Sequence, residues 1–367
     1  MTAKRVGVIG SGQLGRMMAL AGTPLDIEFV FYDEATESPS ARLGETIQPS
    51  TSNSLESFLA SVDVVTYESE NTDADLVARI NKSKPVYPGE NSLRRSQHRL
   101  VEKNTFRDLG IKTANFLRVT TKDELIKATK ELGLPIVLKT TTMGYDGKGQ
   151  AVVKTDSDID SAWEALKGNE LIAEAFVNFS RELSIIAVRD IQGNTRTYPL
   201  AENDHSDGIL RVSQVPVTGL SQAKQKEAES YITTLLDHLG HVGVITLELF
   251  DTDSGLIANE MAPRVHNSGH WTIEGTASSQ FENHVRAICG MPLGSTQARQ
   301  SNAAMINIIG KHGDREKVLS IPNAFLHTYS KTERKNRKIG HINLIADSKD
   351  EIENAITELT EFINECG

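Results

Sequence analysis

The sequence predicts a protein of mixed α/β and α+β class: a parallel sheet at the N-terminus, an α+β region in the middle and a small C-terminal domain. Strand and helix patterns alternate through the first hundred residues, which is typical of a parallel, doubly wound sheet. Beyond that region, a glycine-rich loop joins two short strands, and a later pair of strands carries acidic residues. These two features predict a domain that binds a phosphate-bearing ligand.

The N-terminal region contains four predicted strands. A glycine-rich turn follows the first strand and leads into a helix through Met17, Met18 and Leu20. The predicted strands are residues 6–9, 27–32, 62–66 and 85–87.

A second region begins after about Arg99. Thr121 and Glu124 form a capping box that opens a helix, and Gly133 ends this helix. We expect strands at 136–139, 150–153 and 171–177, a helix over 157–166, and further strands between 182 and 215.

A long helix follows and ends at Gly240. Its apolar face is predicted to consist of Ala228, Ile232, Leu235, Leu236 and Leu239. Strands 242–250 and 256–260 are separated by Asp-Thr-Asp-Ser-Gly, which has the composition of a hairpin loop. The residues from Ala303 onwards form the last, small region of strands and helix.

The net charge of −10, from 39 Lys+Arg and 49 Asp+Glu residues, argues against a generally basic nucleic-acid-binding surface. A local basic pocket for a small anion remains compatible with it. The chain has no run of about 18 apolar residues and no signal-peptide pattern, so we expect no membrane association. The only two cysteines, Cys289 and Cys366, are expected to be reduced thiols in a cytoplasmic protein.

Gly10, Gly12 and Gly15 match the G-x-G-x-x-G pattern between a strand and a helix, and Asp33 ends the next strand. An acidic residue at that position binds ribose in NAD enzymes. The loop nevertheless presents amide groups and a helix N-terminus to any phosphate. A dinucleotide, a sugar phosphate and simple close packing all remain open.

A second glycine-rich loop, residues 144–149, lies between a strand ending at Lys139 and the next strand, and it contains Lys148. The pattern differs from a Walker A loop, which needs G-K-[S/T] at the start of a helix. It predicts a hairpin that covers phosphates. The alternative is a solvated hairpin tip.

Glu248 and Glu260 are expected on the same face of the paired strands that follow. With the loop centred near Asp253, Glu248 would face Ala258 and Glu260 would be its diagonal neighbour. Diagonal residues lie ~7–8 Å apart, close enough for two carboxylates to share a cation. Mg²⁺ takes few protein carboxylates and fills its shell with phosphate and water. The pair therefore predicts a Mg-nucleotide site, and two solvent-facing glutamates are the alternative.

Arg264, His266, Asn267 and His270 closely follow Glu260 and could bind a small anion. Zinc binding by the two histidines is the weaker alternative, because no third ligand adjoins them. Residues 329–341 form the densest positive patch of this acidic chain.

Six motifs together carry a resemblance to a known family. They are residues 10–17 (GSGQLGRM), 67–71 (YESEN), 144–150 (GYDGKGQ), 259–264 (NEMAPR), 266–272 (HNSGHWT) and 337–341 (RKIGH). They resemble the ATP-grasp superfamily and, within it, the 5-(carboxyamino)imidazole ribonucleotide synthases, over nearly the whole chain. The resemblance implies an ATP-grasp fold with an N-terminal Rossmann-like domain. The expected domains are residues 1–98, 99–295 with a lid subdomain at about 117–178, and 296–367.

The implied reaction joins ATP, bicarbonate and 5-aminoimidazole ribonucleotide through carboxyphosphate, in purine (IMP) biosynthesis. ATP and Mg²⁺ are the implied cofactors, and a cytoplasmic homodimer without nucleic-acid partners is the implied state. Three other functions stay open: another ATP-grasp carboxylate–amine ligase, an NAD-dependent oxidoreductase and a non-catalytic nucleotide sensor.

The resemblance also assigns roles to individual residues. The implied ATP-binding residues are Arg99, Lys139, Gly144, Tyr145, Asp146, Gly147, Lys148, Gly149, Gln150, Glu174, Ala175, Phe176, Val177, Glu182, His205, Asn259 and Glu260. The implied catalytic residues are Tyr145, Asp146, Lys148, Arg264, His266 and Asn267. The implied substrate-binding residues are Gly12, Gln13, Leu14, Glu68, Lys331 and Arg337, and the implied metal ligands are Glu248 and Glu260.

Two departures from the family pattern affect these assignments. Lys148 stands where many members have arginine. The segment between Lys331 and Arg337 lacks the usual Pro-Gly and is one residue shorter, which leaves Lys338 as the alternative to Arg337.

Overall fold

The structure is a computed structural model that describes residues 4–35, 37–50, 53–144 and 149–366, with side chains through residue 360. The expected site residues Tyr145, Asp146, Gly147 and Lys148 lie outside the described residues.

The N-terminal region is a parallel sheet flanked by helices. Its elements are β1 (Lys4–Ile9), α1 (Gln13–Gly22), β2 (Ile27–Tyr32), β3 (Glu45–Ile47), α2 (Ser54–Ala60), β4 (Val64–Tyr67) and α3 (Ala74–Ile80). The strands pair in parallel in the order β3-β2-β1-β4. Val6 and Val8 face one apolar core, and Val30 and Val65 face another on the opposite side. The prediction of a Rossmann-like parallel sheet is therefore confirmed.

The predicted strand at 85–87 was wrong, because this segment forms only a bridge between Val65 and Val86. Val65 donates its N–H to the Pro85 carbonyl, and Tyr87 donates to the Val65 carbonyl. Pro85 and Pro88 on either side have no N–H, so the ladder cannot extend.

Two helices lead from this sheet to a small antiparallel sheet. The elements are α4 (Glu90–Ser96), α5 (Arg99–Asp108), β5 (Phe116–Val119), α6 (Lys122–Leu132), β6 (Ile136–Thr140), β7 (Gln150–Val153), α7 (Ile159–Leu166) and β8 (Leu171–Ala175). The strand order is β5-β8-β6-β7, and the sheet has its own core with α6 and α7. The predicted capping box at Thr121 and Glu124 is present.

Two predicted boundaries in this region were wrong by two residues. α7 begins at Ile159 because residues 156–158 form a separate 3₁₀ turn. β8 ends at Ala175, since Phe176 donates to the carbonyl of Pro135 and Pro135 has no N–H to return.

The remaining elements are the strands of one large sheet and the helices that accompany them. They are β9 (Arg181–Arg189), β10 (Thr195–Thr197), β11 (Ala201–Ser206), β12 (Ile209–Val215), α8 (Gln222–Leu239), β13 (Gly243–Thr252), β14 (Gly255–Ala262), α9 (Thr272–Gly275), α10 (Gln280–Ile288), β15 (Asn302–Ile309), α11 (Arg315–Ser320), β16 (Ala324–Thr328), β17 (Lys338–Ala346) and α12 (Lys349–Cys366). The order β14-β13-β9-β11-β12-β15-β17-β16 is antiparallel throughout, with β10 on β9. The C-terminal strands β15, β16 and β17 thus belong to the same large sheet, which they join through the β12–β15 pair.

Helix α8 confirms the predicted amphipathic pattern. All five residues of its predicted apolar face are buried, and Gly240 ends the helix in a left-handed conformation at φ 58°.

Helix α10 packs against α1 and joins the N-terminal sheet to the large sheet. The shared core includes Met17, Met18 and Val285. In the described part of the chain, no helix combines the length and the apolar character that crossing a bilayer would require.

Two buried histidines connect these two sheets. His284 Nδ1 accepts the Val244 N–H at 3.1 Å, so its proton is on Nε2, 2.9 Å from the Thr66 hydroxyl. His241 Nε2 donates to the Val244 carbonyl at 3.0 Å, and its Nδ1 lies 2.9 Å from the Ser92 hydroxyl. Burial lowers the pKa of His241 to about 4 and that of His284 to about 3. Both side chains are therefore neutral in the folded protein.

We predict that the protein loses stability as the pH falls from about 6.5 towards 4. The unfolded histidines have a pKa of about 6.5 and bind protons in this window while the folded ones do not. Each histidine then costs roughly 1.4 kcal/mol per pH unit. Urea unfolding across this window should show a shallower pH dependence for His284→Gln. The exposed His238→Gln is the control, and equal slopes for all three proteins would refute the prediction.

Candidate active site

A cleft of about 770 Å³ lies where the three sheets meet. The loops after β1 and β4 contribute Gln13 and Glu68, the small sheet contributes Lys139, and the large sheet contributes Glu248 and Lys338. The cleft therefore receives side chains from all regions of the chain.

One wall of the cleft is apolar. Met143 is 71% exposed and Phe176 is 48% exposed, and Val152 and Phe179 lie beside them in the lining. The Phe179 ring stacks on Phe250 with centroids 4.5 Å apart. Exposed apolar side chains grouped in a cleft are typical of a ligand site, and this flat wall suits an aromatic base.

A buried carboxylate between two lysines lies behind this wall. Glu174 Oε2 is 2.9 Å from Lys139 Nζ and 3.6 Å from Lys103 Nζ, and Lys103 is only 1% exposed. Burial alone would raise the pKa of Glu174, but the two ammonium groups outweigh it and lower this pKa to about 2. Glu174 is thus a fixed anion that orients Lys139 at the edge of the cleft.

Arg99 begins α5 and bridges the small and large sheets. Its guanidinium donates to Glu260 Oε2 at 3.0 Å and to the Gly144 carbonyl at 3.1 Å. The start of the second glycine-rich loop is therefore tied to one of the two expected metal ligands.

The predicted register of the carboxylate hairpin was wrong. Leu249, rather than Glu248, faces Ala258, and Leu247 faces Met261. The β-bulge between these pairs places two residues, Asn259 and Glu260, opposite the single residue Glu248. The expected Glu248–Glu260 diagonal is thus replaced by a closer juxtaposition across the bulge.

The closeness of Glu248 and Glu260 favours a bound cation, because two neighbouring negative charges repel each other. Burial and the neighbouring Glu260 raise the pKa of Glu248 to about 8. His266 Nε2 lies 3.3 Å from Glu248 Oε1, but burial and Arg264 lower the His266 pKa to about 3, so it supplies no charge. Oxygen ligands of this kind fit Mg²⁺. Among the described residues, no group of three or more His, Cys, Asp or Glu side chains could hold a metal.

A second ionic contact lies near these carboxylates. His205 Nδ1 is 3.3 Å from Glu182 Oε2. Burial disfavours the protonated ring, but Glu182 and Glu248 outweigh burial and raise the pKa of His205. His205 therefore keeps its proton to a higher pH than a free imidazole does, on this acidic side of the cleft.

Arg264 is held by the motif after β4. Its Nε donates to Glu70, and its Nη1 donates to the Val265 carbonyl at 3.0 Å. Burial alone would raise the pKa of Glu70, but Arg264 outweighs burial and lowers it to about 2. The guanidinium is thereby fixed near Glu260 and His266 in the lining of the cleft.

Asn267 is locked by the C-terminal strands. It exchanges two hydrogen bonds with Asn307 on β15, at 3.0 and 2.7 Å, and its Nδ2 lies 3.1 Å from His270 Nδ1. The Tyr329 hydroxyl bonds to His341 Nδ1 at 2.6 Å and lies 3.3 Å from His270 Nδ1. The anion-binding segment therefore depends on residues from the end of the chain.

The first glycine loop is occupied by a carboxylate of the protein itself. Glu68 accepts the N–H of Gly12 at 2.5 Å and that of Gly15 at 2.9 Å. Lys331 Nζ donates to Gln13 Oε1 at 2.5 Å and so connects the positive patch to this loop.

The structure brings most of the expected residues together in the cleft. Those in its lining are Gln13, Leu14, Glu68, Arg99, Lys139, Gly144, Gln150, Glu174, Ala175, Phe176, Val177, Glu182, His205, Glu248, Asn259, Glu260, Arg264, His266 and Asn267. Gly12, Gly149, Lys331 and Arg337 are not in the lining. Arg337 donates instead to Thr332, at 2.8 Å to its hydroxyl, whereas Lys338 does line the cleft.

Sequence reasoning missed four charged or polar residues of the site. Glu70 lies in the 67–71 motif, whose two glutamates were a signal for it. Glu102 accepts the Met261 N–H at 2.7 Å, and burial together with Glu260 raises its pKa to about 8. Nothing in the sequence distinguishes Glu102, Lys103 or Asn307 from solvated or structural polar residues.

The fold and the cleft define an ATP-grasp enzyme: a nucleotide-sized cleft between two antiparallel sheets, with a lysine and a glycine-rich hairpin on one side and paired carboxylates on the other. Family models agree. The ATP-grasp domain matches residues 104–281, the ribonucleotide synthetase preATP-grasp domain matches residues 3–97, and the phosphoribosylaminoimidazole carboxylase C-terminal domain matches residues 303–355.

Relatives identify the family within this class. The N5-carboxyaminoimidazole ribonucleotide synthase of Pseudomonas aeruginosa is 45% identical over 98% of this chain and 99% of its own. The crystal structure of the N5-carboxyaminoimidazole ribonucleotide synthetase of Thermus thermophilus has a TM-score of 0.93 at 43% identity, over 97% of this chain and 98% of that one. The Aspergillus clavatus synthase in complex with ADP and 5-aminoimidazole ribonucleotide has a TM-score of 0.92 at 32% identity, over 99% of both chains. The chain belongs to the N5-carboxyaminoimidazole ribonucleotide synthase family of ATP-grasp ligases.

We predict that Glu174→Gln destabilises the protein by about 3–5 kcal/mol, because it leaves buried Lys103 and Lys139 without their common counter-charge. It should also weaken ATP binding, since Lys139 loses its orientation. Urea unfolding and nucleotide titration measure the two effects. The control is Glu164→Gln, which removes an exposed partner of Lys167 and should cost at most about 1 kcal/mol. Equal losses in the two variants would contradict this role of Glu174.

Proposed function

We propose that this protein uses ATP and bicarbonate to carboxylate 5-aminoimidazole ribonucleotide, giving N5-carboxyaminoimidazole ribonucleotide, ADP and phosphate in purine (IMP) biosynthesis. The observation that carries this proposal is the fixed Arg264, which lies beside paired carboxylates at the inner end of a nucleotide-sized cleft. The family to which the chain belongs, and the ligands of the Aspergillus clavatus relative, support the same substrates.

The chemistry explains why ATP is needed. Bicarbonate is a poor electrophile, and transfer of the γ-phosphoryl group to one of its oxygens creates carboxyphosphate, with phosphate as a leaving group. The substrate amine then forms the new C–N bond, while the C–O bond to phosphate breaks. Water would destroy the intermediate, so a site that excludes water serves the reaction directly.

The nucleotide fits the cleft in one orientation. The apolar wall at Phe176 suits the adenine, and Lys139 and the loop that begins at Gly144 suit the phosphates. Glu182 is also in the lining of the cleft, and we assign it to the ribose. From the family resemblance, we assign Tyr145, Asp146, Gly147 and Lys148 to ATP binding, and the first, second and fourth of these also to catalysis.

Mg²⁺ fits the pair Glu248 and Glu260. Burial and mutual repulsion disfavour two ionised carboxylates there, and a divalent cation removes that penalty. When bound, Mg²⁺ would neutralise charge on the ATP phosphates. Arg99 orients Glu260 for this role through its 3.0 Å contact.

Arg264 is the proposed binding group for bicarbonate and carboxyphosphate. A planar guanidinium matches the geometry of carboxylate and phosphate oxygens. Glu70 and the Val265 carbonyl hold Arg264 in place. Neutral His266 and the locked Asn267 add hydrogen-bonding groups without adding charge.

The ribonucleotide is proposed to bind between the first glycine loop and the positive patch. The N–H groups of Gln13 and Leu14 begin helix α1, whose dipole favours a phosphate. Lys331 contacts Gln13, and Lys338 lines the adjacent cleft, so both fit the same anion better than Arg337 does. We further propose a cytoplasmic homodimer with domains 1–98, 99–295 and 296–367, which sedimentation and limited proteolysis would test.

Glu260→Gln keeps the side-chain size but removes one negative charge from the proposed Mg²⁺ site. We expect turnover to fall by roughly 10²–10³-fold, the usual loss for one well-placed electrostatic group. Phosphate release measured over a range of Mg²⁺ concentrations tests this. Asp253→Asn, at the exposed tip of the same hairpin, is the matched control and should leave turnover unchanged. A folded Glu260→Gln protein with normal activity at low Mg²⁺ would exclude Glu260 as a ligand.

Oxygen-18 from labelled bicarbonate should appear in the released phosphate. Carboxyphosphate retains one bicarbonate oxygen on phosphorus when it breaks down, so each turnover transfers that oxygen. Mass spectrometry of the phosphate during turnover with the ribonucleotide makes the measurement. Phosphorylation of the amine or hydrolysis of ATP by water would leave the phosphate unlabelled, and that result would refute the mechanism.

The Arg264→Lys variant separates bicarbonate binding from ATP binding in the same assay. Lysine keeps the charge but loses the planar, two-donor geometry. The apparent KM for bicarbonate should therefore rise more than that for ATP. A rise in the apparent KM for ATP alone would indicate that Arg264 binds the nucleotide and not bicarbonate.

A further inference from the structure

The three glycines of the first loop all face one side chain, that of Glu68. Its two carboxylate oxygens accept the N–H groups of Gly12 and Gly15 at 2.5 and 2.9 Å. These groups lie at the N-terminus of the ten-residue helix α1, where the positive end of the helix dipole favours an anion. A phosphate occupies this position in proteins that use such a loop to bind nucleotides. Here the anion belongs to the chain itself.

The Glu68 side chain packs directly against the backbone of these glycines. A Cβ atom at Gly10 would lie 2.6 Å from Glu68 Cγ, and one at Gly12 would lie 2.5 Å from Glu68 Oε1. At Gly15 the Cβ would lie 3.3 Å from Glu68 Oε2. Close approach of an anion to the backbone is the reason for glycine in dinucleotide loops, and the same reason holds here for a carboxylate.

Asp33, the acid that would bind the ribose of a dinucleotide, also accepts hydrogen bonds from the chain itself. Asp33 Oδ2 accepts the Ser11 N–H at 2.7 Å and the Ser11 hydroxyl at 2.6 Å, and its Oδ1 accepts the Ala35 N–H at 3.1 Å. Both features of the dinucleotide pattern, the glycine donors and the acid, therefore have partners inside the protein.

A cavity of about 620 Å³ remains beside this loop. It lies at the carboxyl ends of β1, β2 and β4, where open α/β sheets bind ligands, and Gly10, Asp33 and Glu68 are in its lining. The space is large enough for part of a nucleotide. The carboxylates of Glu34, Asp73 and Asp75 also line it and repel a pyrophosphate.

We propose that Glu68 is a specificity-determining residue that fills the pyrophosphate position of the first glycine loop and so prevents dinucleotides from binding to the N-terminal domain. The phosphate of a mononucleotide substrate is left with the Gln13 and Leu14 N–H groups on the outer side of the loop. The proposal does not depend on which acceptor the ligase phosphorylates, because it concerns binding to the N-terminal domain alone.

The test compares binding of NADH by the full-length wild type, Glu68→Ala and Glu34→Ala. Glu68→Ala removes the internal anion, whereas Glu34→Ala removes an exposed carboxylate of the same cavity without touching the glycines. NADH fluorescence gives affinity, and glycine-selective ¹⁵N labelling gives the amide shifts of Gly12 and Gly15. We expect Glu68→Ala to bind NADH at least tenfold more tightly than the wild type, with shifts at both glycines. Glu34→Ala removes one repelling charge but leaves the glycine N–H groups occupied, so its gain in affinity should be much smaller and the shifts of Gly12 and Gly15 should be absent.

Three outcomes would overturn the proposal: a folded Glu68→Ala protein that binds NADH no better than the wild type, equal gains in both variants, or NADH-induced shifts of Gly12 and Gly15 in the wild type. The last measurement needs no variant. Glu68→Asp and Glu68→Gln cover the case in which the alanine variant does not fold. Aspartate keeps the charge and should still exclude NADH, and glutamine loses the charge and should admit it; the reverse order would contradict the role of Glu68.

Discussion

The ion pairs between carboxylates of the cleft and the cations beside them are the interaction on which the rest of the site depends. Glu174 lies between Lys103 and Lys139, Glu70 binds Arg264, and Glu260 binds Arg99. A charge without a partner in such a place costs several kcal/mol, so each pair fixes its members in one arrangement. Glu248 and Glu102 differ from these pairs, because burial and the neighbouring Glu260 raise the pKa of each to about 8. Both carboxyl groups neighbour Glu260, so the repulsion is concentrated around the proposed cation site.

The continuity of the large sheet explains why the end of the chain takes part in this site. Pairing of β15 with β12 brings Asn307 against Asn267, and β17 brings His341 against Tyr329. The segment after β14 that is proposed to bind an anion has little regular structure of its own: it contains only a 3₁₀ turn, and the four-residue α9 follows it. Asn267 and His270 are therefore positioned by strands much later in the chain, and the C-terminal region supports the proposed site.

The sequence was sufficient for the elements with strong local signals and insufficient for contacts made at long range. The capping box at Thr121, the apolar face of α8 and the alternation of the N-terminal sheet were all predictable, because each depends on neighbours within a few residues. The bulge opposite Glu248 was not, since an extra residue in one strand leaves the hydrophobic pattern almost unchanged. Glu102 and Lys103 have the composition of a solvated helix surface, and only the packing of α5 against β14 buries them. The family resemblance predicted which residues would meet in one cleft. The periodicity of the sequence alone could not have predicted this.

The first glycine loop shows why a motif and its ligand are separate inferences. The spacing of Gly10, Gly12 and Gly15 indicates only a close approach to the backbone at the start of a helix, by an anion or by a packed neighbour. Whether that anion is a pyrophosphate or a carboxylate depends on the residue after β4, which lies more than 50 positions later in the chain. The pattern therefore left an oxidoreductase and a ligase both open, and Glu68 removes the ambiguity by occupying the donors that a dinucleotide would need. The same segment, residues 67–71, also fixes Arg264 through Glu70, so one short loop both closes the dinucleotide position and orients the proposed acceptor site.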